Sequence, residues 1–431
     1  MNEEKKFIVL LSEPEARNPS QFGPKTANQA ILAHAGLPTP GGFCLSAEAY
    51  QAQVKALGLS EVAEKAMNLD FFKARPFISQ IRIAMFDAPM IDEIALPLIE
   101  AYQNLTGKTE MKVAVRSSSL MEDTVGASFA GQFQTYLGIE NEKDFLTAVH
   151  GCWGALWSSR ALRYMDSTNI KVVDAAMSVL VQPLIQAVAS GGGLSKTARD
   201  GMSLTATWGL GESIAQGEIV PDRYELGKDG RFLEMVSGRK AHTIHCHLHG
   251  SPTAEVVAKE QVSKPCLNEA QVFELGAMMK KAEALLGRPV EIEWTMDKAG
   301  IRLLQARPLH LESSPKPNQI WNHHPSITGQ PAGVGWGSGR ACVIACECEL
   351  GRVAPGDILV TKVAGPALSQ VLPFVSGVVA ELGGSTSHLA SLARERGIPM
   401  VLGARDATSE IPDGGQVAVD GVMGVVRWVP A

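Results

Sequence analysis

The segment from Gly383 to Pro399 contains the residue best suited to nucleophilic chemistry, His388. A neutral imidazole is a competent nucleophile, and a phosphoryl group on its nitrogen needs hydrogen-bond donors around it. Free backbone N–H groups and the positive end of the helix dipole supply such donors at the first turn of a helix. These residues therefore predict a phosphohistidine site, and a histidine that merely packs at a helix start is the alternative.

Short local patterns predict the elements around His388. The β-branched run 377–380 is typical of a buried strand. Thr386 is a suitable helix N-cap, and Gly397 followed by Pro399 predicts the end of the helix. Between them the apolar residues recur at helical spacing, namely Leu389, Leu392 and Ala393. The histidine is thus predicted in the first helical turn, after a strand and two glycines.

Two alternating segments on either side of residues 298–300 are predicted to form a β-hairpin. With a three-residue loop, Glu293 lies opposite Gln305, and the two side chains share one face. Glu291 then lies opposite Arg307. A carboxylate and an amide oxygen suit Mg²⁺ bound to ATP phosphates, while an arginine neutralises phosphate charge. A surface hairpin is the alternative, but a glutamine between leucine and alanine argues against it.

Two cationic residues occur next to flexible loops. Lys25 follows a glycine-containing turn that opens a helix, where it either binds a phosphate or is simply solvated. Arg116 follows the apolar residues that begin at Val113 and leads into a loop rich in glycine and serine, which suits bidentate contact with a polyphosphate. A structural ion pair of Arg116 with Glu122 or Asp123 is the alternative.

These segments resemble one enzyme family, that of phosphoenolpyruvate synthase and pyruvate phosphate dikinase. The family's phosphohistidine segment carries Gly-Gly-x-Thr-(Ser/Cys)-His-x-Ala followed by Ala-Arg-Glu-x-Gly-Ile-Pro, which residues 383–399 match closely. Residues 22–43 are similar to its amino-terminal segment, except that Pro24 replaces a glycine. Residues 113–137 resemble its nucleotide-domain signature. The resemblance covers essentially the whole chain and favours the phosphohistidine interpretation of His388.

The resemblance implies an α/β (α+β) fold, in which an ATP-grasp-like nucleotide-binding domain is followed by a small swivelling β/α phosphohistidine domain. It also implies ATP and Mg²⁺ as cofactors, with His388 as the residue that is phosphorylated. The residues it assigns to ATP binding are Lys25, Arg116, Gly131, Thr135, Gln182 and Arg307. The residues it assigns to the metal are Glu293 and Gln305.

The predicted domain organisation follows the order of these motifs. The nucleotide-binding domain is expected at 1–312, with subdomains of roughly 1–190 and 191–312, and the phosphohistidine domain at 335–431. Residues 313–334 between them are rich in proline and serine, which predicts a semi-rigid linker. Because one rigid arrangement cannot serve both ATP and an acceptor, we expect the phosphohistidine domain to swivel on this linker.

The implied function is ATP-dependent phosphorylation of His388, followed by transfer of the phosphoryl group to an acceptor. A phosphoenolpyruvate/pyruvate barrel completes the dikinases, and we expect none before Ala431. The acceptor is therefore expected on a separate subunit, or as a small molecule bound within these domains. Two other classes stay open: a phosphocarrier or regulatory protein without turnover, and an ATP-grasp ligase in which the histidine is incidental.

Composition and charge narrow the choice of partners. The net charge is −6 with no basic block, so neither nucleic acid nor an anionic membrane surface is expected as a partner. No apolar run is long enough for a signal segment or a membrane span, which favours a cytoplasmic location.

The cysteines and a histidine cluster offer further candidate sites. Seven cysteines, an odd number, do not indicate a disulfide framework, and buried thiols are expected at Cys342, Cys346 and Cys348, with metal binding as the alternative. The histidines of 242–249 are interpreted as part of a solvated hairpin. A metal site is the alternative, but none of the spacings fits a well-defined zinc pattern.

Overall fold

The computed structural model describes residues 6–67, 69, 71–107, 111–122, 129, 132–167, 175–246, 252–309 and 319–430. Contacts divide the chain into two compact units. Unit 1 comprises Met1–Gln186, Cys246–Thr253 and Arg302–Arg307. Unit 2 comprises Ala187–His245, Ala254–Ile301 and Pro308–Ala431. The predicted boundaries follow motif order along the chain, whereas these units group segments that contact each other. Much of the predicted second nucleotide subdomain therefore falls in one unit with the phosphohistidine domain.

Unit 1 is built from a five-stranded antiparallel sheet, of strand order β1-β2-β5-β3-β4, with helices packed around it. Its strands are β1 (Ile8–Leu10), β2 (Phe43–Leu45), β3 (Val113–Ser119), β4 (Thr135–Ile139) and β5 (Met177–Pro183). Its helices are α1 (Pro19–His34), α2 (Ala47–Ala56), α3 (Ser60–Met67), α4 (Phe71–Asp87), α5 (Asp92–Thr106), α6 (Glu142–Gly154) and α7 (Ser159–Ser167).

The central strands β3 and β5 are buried along almost their whole length, because their residues are nearly all apolar or small. A cluster of buried residues joins the sheet to α1, namely Val9, Leu11, Ala16, Phe22, Ala30, Cys44 and Leu180. Strand β5 ends at Pro183, since proline cannot donate to a further ladder. This core fixes α1, the helix that carries Lys25, against the sheet.

Helix α1 is interrupted at Gly23, whose φ of 73° lies in the left-handed region. A Cβ there would lie 2.5 Å from Ser118 Oγ, so only glycine fits. Pro24 follows at the start of the next helical segment, where a missing N–H costs little. Ser118 Oγ donates to the Phe22 carbonyl (2.8 Å) and accepts from Thr26 N–H (3.3 Å). The proline therefore fits an ordered loop.

The first part of unit 2 contains a six-stranded sheet, of strand order β13-β12-β6-β7-β8-β9, and a separate two-stranded sheet. The strands are β6 (Ala189–Leu194), β7 (Met202–Trp208), β8 (Asp222–Leu226), β9 (Phe232–Val236), β10 (His242–His245), β11 (Thr253–Val256), β12 (Val290–Asp297) and β13 (Gly300–Pro308). The helices are α8 (Glu212–Ala215), α9 (Lys259–Val262) and α10 (Glu269–Leu286).

The predicted hairpin is confirmed, since β12 and β13 are neighbours joined by Lys298 and Ala299. Gly300 has a positive φ of 127°, a conformation that glycine adopts readily. The opposition of Glu293 and Gln305 stays a prediction.

The carboxyl-terminal part of unit 2 forms an eight-stranded sheet of order β14-β21-β20-β16-β17-β18-β19-β15. The strands are β14 (Ser326–Thr328), β15 (Gln330–Pro331), β16 (Trp336–Ile344), β17 (Ile358–Thr361), β18 (Gly377–Ala380), β19 (Met400–Leu402), β20 (Gln416–Asp420) and β21 (Val425–Trp428). The helices are α11 (His388–Glu395) and α12 (Ala407–Glu410). Strands β16 to β19 run parallel, so α11 is the crossover from β18 to β19.

Part of the predicted linker belongs to this sheet. Strand β14 pairs with β21, and β15 pairs with β19, both antiparallel. Pro331 lies on the edge strand β15, where its missing N–H breaks no ladder. The proline content led to the prediction of a linker, although residues 326–328 and 330–331 form two short strands. Residues 311–318 of the same region lie outside the described residues.

The cysteines differ from expectation at one place. Cys346 and Cys348 are exposed and form a disulfide, so the prediction of buried thiols is wrong for this pair. The reason is that β16 ends at Ile344, and the chain leaves the core before the first of them. Cys342 is a buried free thiol, as expected.

The histidine-rich segment forms β10, which pairs with β11 in the two-stranded sheet. His242 is exposed, and His245 Nε2 lies 3.3 Å from Thr243 Oγ1. His247 and His249 lie outside the described residues. Within the described ranges, no three His, Cys, Asp or Glu side chains are grouped as metal ligands, and no helix has the length and apolar character needed to cross a membrane.

Candidate active site

His388 is the first residue of α11, just after the end of β18, and is half-buried. The helix is capped by Ser387, whose hydroxyl accepts a hydrogen bond from Ala390 N–H at 3.3 Å. The prediction that Thr386 is the N-cap is therefore wrong by one residue. Serine and threonine are both favourable N-caps, with serine somewhat preferred, and here Thr386 contacts Thr205 on β7 instead.

Arg394, on the same helix, fixes the loop before His388. Its Nη1 donates to the carbonyls of Ser385 (2.5 Å) and Ala332 (3.0 Å). Its Nη2 donates to Glu291 Oε1 on β12 at 3.1 Å. The side chains of Arg394 and Glu291 are only 3% and 5% exposed, so each charge depends on these partners.

The loop that precedes His388 lies against one row of the six-stranded sheet, where a row is a set of directly paired residues on neighbouring strands. Gly192 on β6 pairs with Thr205 on β7 and, on its other side, with Glu293 on β12. Thr386 Oγ1 lies 2.6 Å from Thr205 Oγ1, and its side chain occupies the space that a Cβ on Gly192 would need. Adjacent strands are about 4.8 Å apart and directly paired residues share a face. The loop that precedes His388 therefore lies beside the predicted metal ligand Glu293.

In unit 1, two oxygen atoms hold Lys25. Its Nζ donates to the Ser117 carbonyl at 2.8 Å and forms an ion pair with Glu122 at 2.9 Å. Glu122, considered from the sequence as a partner of Arg116, is thus the partner of Lys25. Its second oxygen, Oε2, is buried and accepts no hydrogen bond from the residues that the structure describes. The lysine has a carboxylate partner where the resemblance implies a phosphate.

Strand pairing brings two further predicted residues together in unit 1. Arg116 on β3 lies opposite Thr135 on β4, and directly opposed residues share one face. Arg116 is half-buried and Thr135 is exposed. Gly131, which belongs to the same predicted set, lies outside the described residues.

Gln182 lies on β5 and is 1% exposed. Its Nε2 donates to the Gly41 carbonyl at 3.3 Å, while its buried Oε1 has no hydrogen-bond partner within the described part of the chain. Buried acceptors are nearly always satisfied. The unsatisfied amide oxygen therefore suits an amine donor on a ligand.

Gln305 and Arg307 are buried on the part of β13 that belongs to unit 1. Two amide side chains of α1 donate to backbone carbonyls of this strand, in the pairs Asn28–Ala306 (3.1 Å) and Gln29–Leu303 (2.6 Å). The helix that carries Lys25 is thereby joined to the strand that carries Gln305 and Arg307.

The donor sets fit ATP and Mg²⁺. Glu293 and Gln305 offer hard oxygen donors, which magnesium prefers. Three cationic side chains can neutralise phosphate charge, namely Lys25, Arg116 and Arg307. The unsatisfied oxygen of Gln182 can accept from the amine of adenine.

Sequence reasoning gave no role to Thr205 or Arg394, and it placed Glu291 opposite Arg307. A signal was available for the helix: Ser391 and Arg394 are three residues apart, so they share a face of α11. Both contact Glu291, since Ser391 Oγ donates to Glu291 Oε2 at 3.1 Å. What that face packs against was not readable from spacing alone.

Comparison with known proteins gives two family matches. The model of the pyruvate phosphate dikinase AMP/ATP-binding domain matches residues 20–325, and that of the PEP-utilising enzyme mobile domain matches residues 353–424. Among solved structures, a D-alanine-D-alanine ligase from Coxiella burnetii is 9% identical over 66% of this chain and 47% of that chain, with a TM-score of 0.25, which is too low to bear on the fold.

Similar relatives include the phosphoenolpyruvate synthases of Aeropyrum pernix and Pyrococcus furiosus, which are 33% and 30% identical. Each alignment covers 98% of this chain and 58% of the relative, so the chain spans a little over half the length of these relatives. The first family match alone covers more than half of the chain. The chain therefore belongs to the phosphoenolpyruvate synthase/pyruvate phosphate dikinase family, with an AMP/ATP-binding domain followed by a PEP-utilising enzyme mobile domain.

Proposed function

We propose that this chain is an ATP-dependent phosphotransferase that phosphorylates His388 and passes the phosphoryl group to an acceptor. The observation that carries the proposal is that the loop before His388 lies on the sheet row that contains Glu293. A loop that brings a histidine toward a carboxylate suited to magnesium supports phosphoryl transfer from ATP, because this reaction depends on positioning and charge stabilisation.

The other site residues take the roles that the family resemblance implies. The phosphates of ATP are bound by Lys25, Arg116 and Arg307, and the adenine amine donates to Gln182. Gly131 and Thr135 complete the ATP-binding set. Glu293 and Gln305 would hold Mg²⁺ through their hard oxygen donors, and the ion would supply positive charge near the phosphates.

In the proposed reaction, a neutral imidazole nitrogen of His388 attacks a phosphorus atom of ATP in line. A nitrogen–phosphorus bond forms and a phosphorus–oxygen bond breaks. The N–H groups of the first turn of α11 stabilise the charge of the new phosphoryl group. Over one turnover, one ATP, one water and one acceptor give AMP, inorganic phosphate and the phosphorylated acceptor.

The site that binds the acceptor is proposed to lie on a separate subunit. The reaction is proposed to take place in the cytoplasm. The similar relatives are named phosphoenolpyruvate synthases, so pyruvate is the first acceptor to test, with phosphoenolpyruvate as the product. A phosphocarrier would keep its phosphoryl group until a partner protein is added, and pyruvate alone would not remove it.

The test of the proposed function is labelling of the whole chain with Mg²⁺ and radioactive ATP. We expect an acid-labile, alkali-stable phosphoprotein, because protonation of a phosphorylated imidazole makes it a good leaving group. His388→Asn and omission of Mg²⁺ should each abolish the label. His34→Asn is the matched control, since His34 is exposed at the end of α1 and should leave labelling unchanged.

Two results would contradict the proposal. One is a His388→Asn protein that labels as strongly as the wild type. The other is ADP as the sole nucleotide product with no phosphoprotein, which would favour an ATP-grasp ligase.

A further inference from the structure

We propose that three residues of the six-stranded sheet form a docking surface for the phosphohistidine domain of the same chain. The docking surface consists of Gly192, Thr205 and Glu291. The residues that it binds are Thr386, Ser391 and Arg394. This inference rests on the proposed function and adds to it, because the docking surface sets how often His388 occupies the position for phosphorylation.

The charged part of the docking surface is Glu291. Its two carboxylate oxygens accept from different residues of α11, Oε1 from Arg394 and Oε2 from Ser391, both at 3.1 Å. Arg394 also donates to the carbonyl of Ser385, in the loop that precedes His388. Glu291 therefore acts on the loop through Arg394 and is a positioning residue.

The shape of the docking surface depends on Gly192. A Cβ built there would lie 2.7 Å from Thr386 Cβ and 2.9 Å from both Thr386 Cγ2 and Thr386 Oγ1. These distances are far below normal contact, and the backbone of Gly192 does not have a positive φ that would itself exclude alanine. Alanine at this position would therefore oppose docking and leave its own strand intact.

The third member, Thr205, connects the docking surface to the strand. Its Oγ1 accepts from Gly192 N–H at 3.2 Å and lies 2.6 Å from Thr386 Oγ1. Because Thr205 is fully buried, this hydroxyl has a fixed environment in the docked arrangement. The threonine pair thus specifies where the loop before His388 sits along the sheet.

Other contacts in unit 2 support the same arrangement without charge pairing. Their donors and acceptors are Gly383 N–H to Ile219 O (2.9 Å), Gln330 Nε2 to Pro221 O (2.9 Å) and Arg239 Nη2 to Glu381 O (3.1 Å). All three acceptors are backbone carbonyls. They hold the domain in place, whereas Gly192 and Glu291 make the fit specific in shape and charge.

Two neighbouring carboxylates on β12 have different proposed roles. Glu291 and Glu293 are two residues apart on β12, so they lie on the same face of the strand. Glu293 is the proposed metal ligand, and Glu291 holds α11. The bound residues lie two before, three after and six after His388, so the reaction does not consume the side chains on which docking depends.

The test uses the full chain and two variants that weaken the docking surface by different means. Glu291→Gln removes the charge pair, and Gly192→Ala introduces the steric clash. Gly351→Ala is the matched control, because a Cβ on Gly351 meets nothing within 4 Å and its φ is not positive. Spin labels on Lys228→Cys and Arg405→Cys report the separation of the two regions, since both side chains are more than three-quarters exposed.

We expect one short label distance to dominate in the wild type and in Gly351→Ala without nucleotide. In Glu291→Gln and Gly192→Ala, longer distances should gain population, and the docked-to-undocked ratio should fall about tenfold or more, the effect of losing a hydrogen bond to a charged group. Labelling of His388 at saturating ATP should slow in proportion to the loss of the docked fraction that the label distances report, with nucleotide affinity unchanged. Circular dichroism should show that each variant is folded.

Unchanged distance distributions in both variants would overturn the docking surface, as would an equal shift in Gly351→Ala. The proposed function fails in a different way. If the distances shift as expected but the wild type never becomes phosphorylated, the docking surface stands and the phosphotransferase does not.

Discussion

Two buried cation–carboxylate pairs hold the two candidate loops, and they differ in what they connect. Lys25–Glu122 joins two segments within unit 1, at 2.9 Å. Arg394–Glu291 joins the phosphohistidine domain to the six-stranded sheet, at 3.1 Å. Under the proposed function, ATP would replace the carboxylate in the first pair, whereas the second pair would separate when the phosphohistidine domain leaves the sheet. The same chemistry would then serve ligand binding in one place and domain motion in the other.

The burial of both pairs explains why each needs a replacement partner. All four side chains are at most 11% exposed, and removing one member of a buried pair typically costs about 3–5 kcal/mol. Phosphate oxygens of ATP can replace Glu122 as the partner of Lys25. Water replaces Glu291 when the phosphohistidine domain leaves the sheet.

The largest effect on the labelling of His388 is expected from Lys25→Met, which breaks the Lys25–Glu122 pair and leaves the Arg394–Glu291 pair intact. Loss of a charge-stabilising group should slow labelling of His388 by about 10²–10³-fold. The label distance between positions 228 and 405 should not change, because the oxygen atoms that hold Lys25, the Ser117 carbonyl and the Glu122 carboxylate, belong to unit 1. Lys6→Met is the control, as Lys6 is well exposed in its pair with Glu13. Undocking of the Lys25 variant would remove the distinction between the two pairs.

A smaller effect is expected from Glu122→Gln, which changes the carboxylate member of the Lys25–Glu122 pair and keeps the lysine. With the carboxylate neutralised, Lys25 no longer needs to leave an ion pair, so ATP affinity should rise severalfold by calorimetry. Stability should fall by up to about 3 kcal/mol in urea unfolding, because a buried ammonium loses its partner. Glu13→Gln, at a more exposed pair, should change neither quantity appreciably. Weaker ATP binding in Glu122→Gln would show that Glu122 is not replaced by phosphate.

The local elements of both sites could be predicted from the sequence. Strand β18 has the predicted bounds, because a β-branched run between turn residues is sufficient to specify a buried strand. The helix start was wrong by one residue because Thr386 and Ser387 are both good caps. The choice between them depends on Thr205, which lies 181 residues away in the chain.

The partners of the charged residues could not be predicted. Alternation along β12 indicates that Glu291 and Glu293 share a face, but it does not indicate that α11 covers part of it. Likewise, the sequence suggested Glu122 as a partner of Arg116, which is only six residues away (116 to 122), whereas the structure pairs it with Lys25, which is 97 residues away (25 to 122). Local spacing specifies elements, whereas these ion pairs depend on how distant elements pack.

The smallest expected effect is a pH dependence of the free energy of unfolding of unit 1, which contains no residue of the docking surface. Burial lowers the pKa of His150, although its Nδ1 contacts the Met85 carbonyl, so the folded unit favours the neutral ring. The stability that this gives is complete above the unfolded pKa of about 6.5 and decreases as pH falls below it. Urea unfolding of unit 1 at pH 7.5 and 5.5 should show this loss, and His150→Gln should reduce it. An identical pH dependence in His150→Gln would assign the effect to other groups.

Because Glu291 and Arg394 are a buried ion pair, the proposed balance between docked and released domain should depend on temperature. The cost of removing ions from water decreases as temperature rises, because the hydration of charged groups has a strongly negative entropy. Warming therefore penalises the docked arrangement less than it would penalise one held by uncharged polar contacts alone. Cooling has the opposite effect and favours the solvated, released domain.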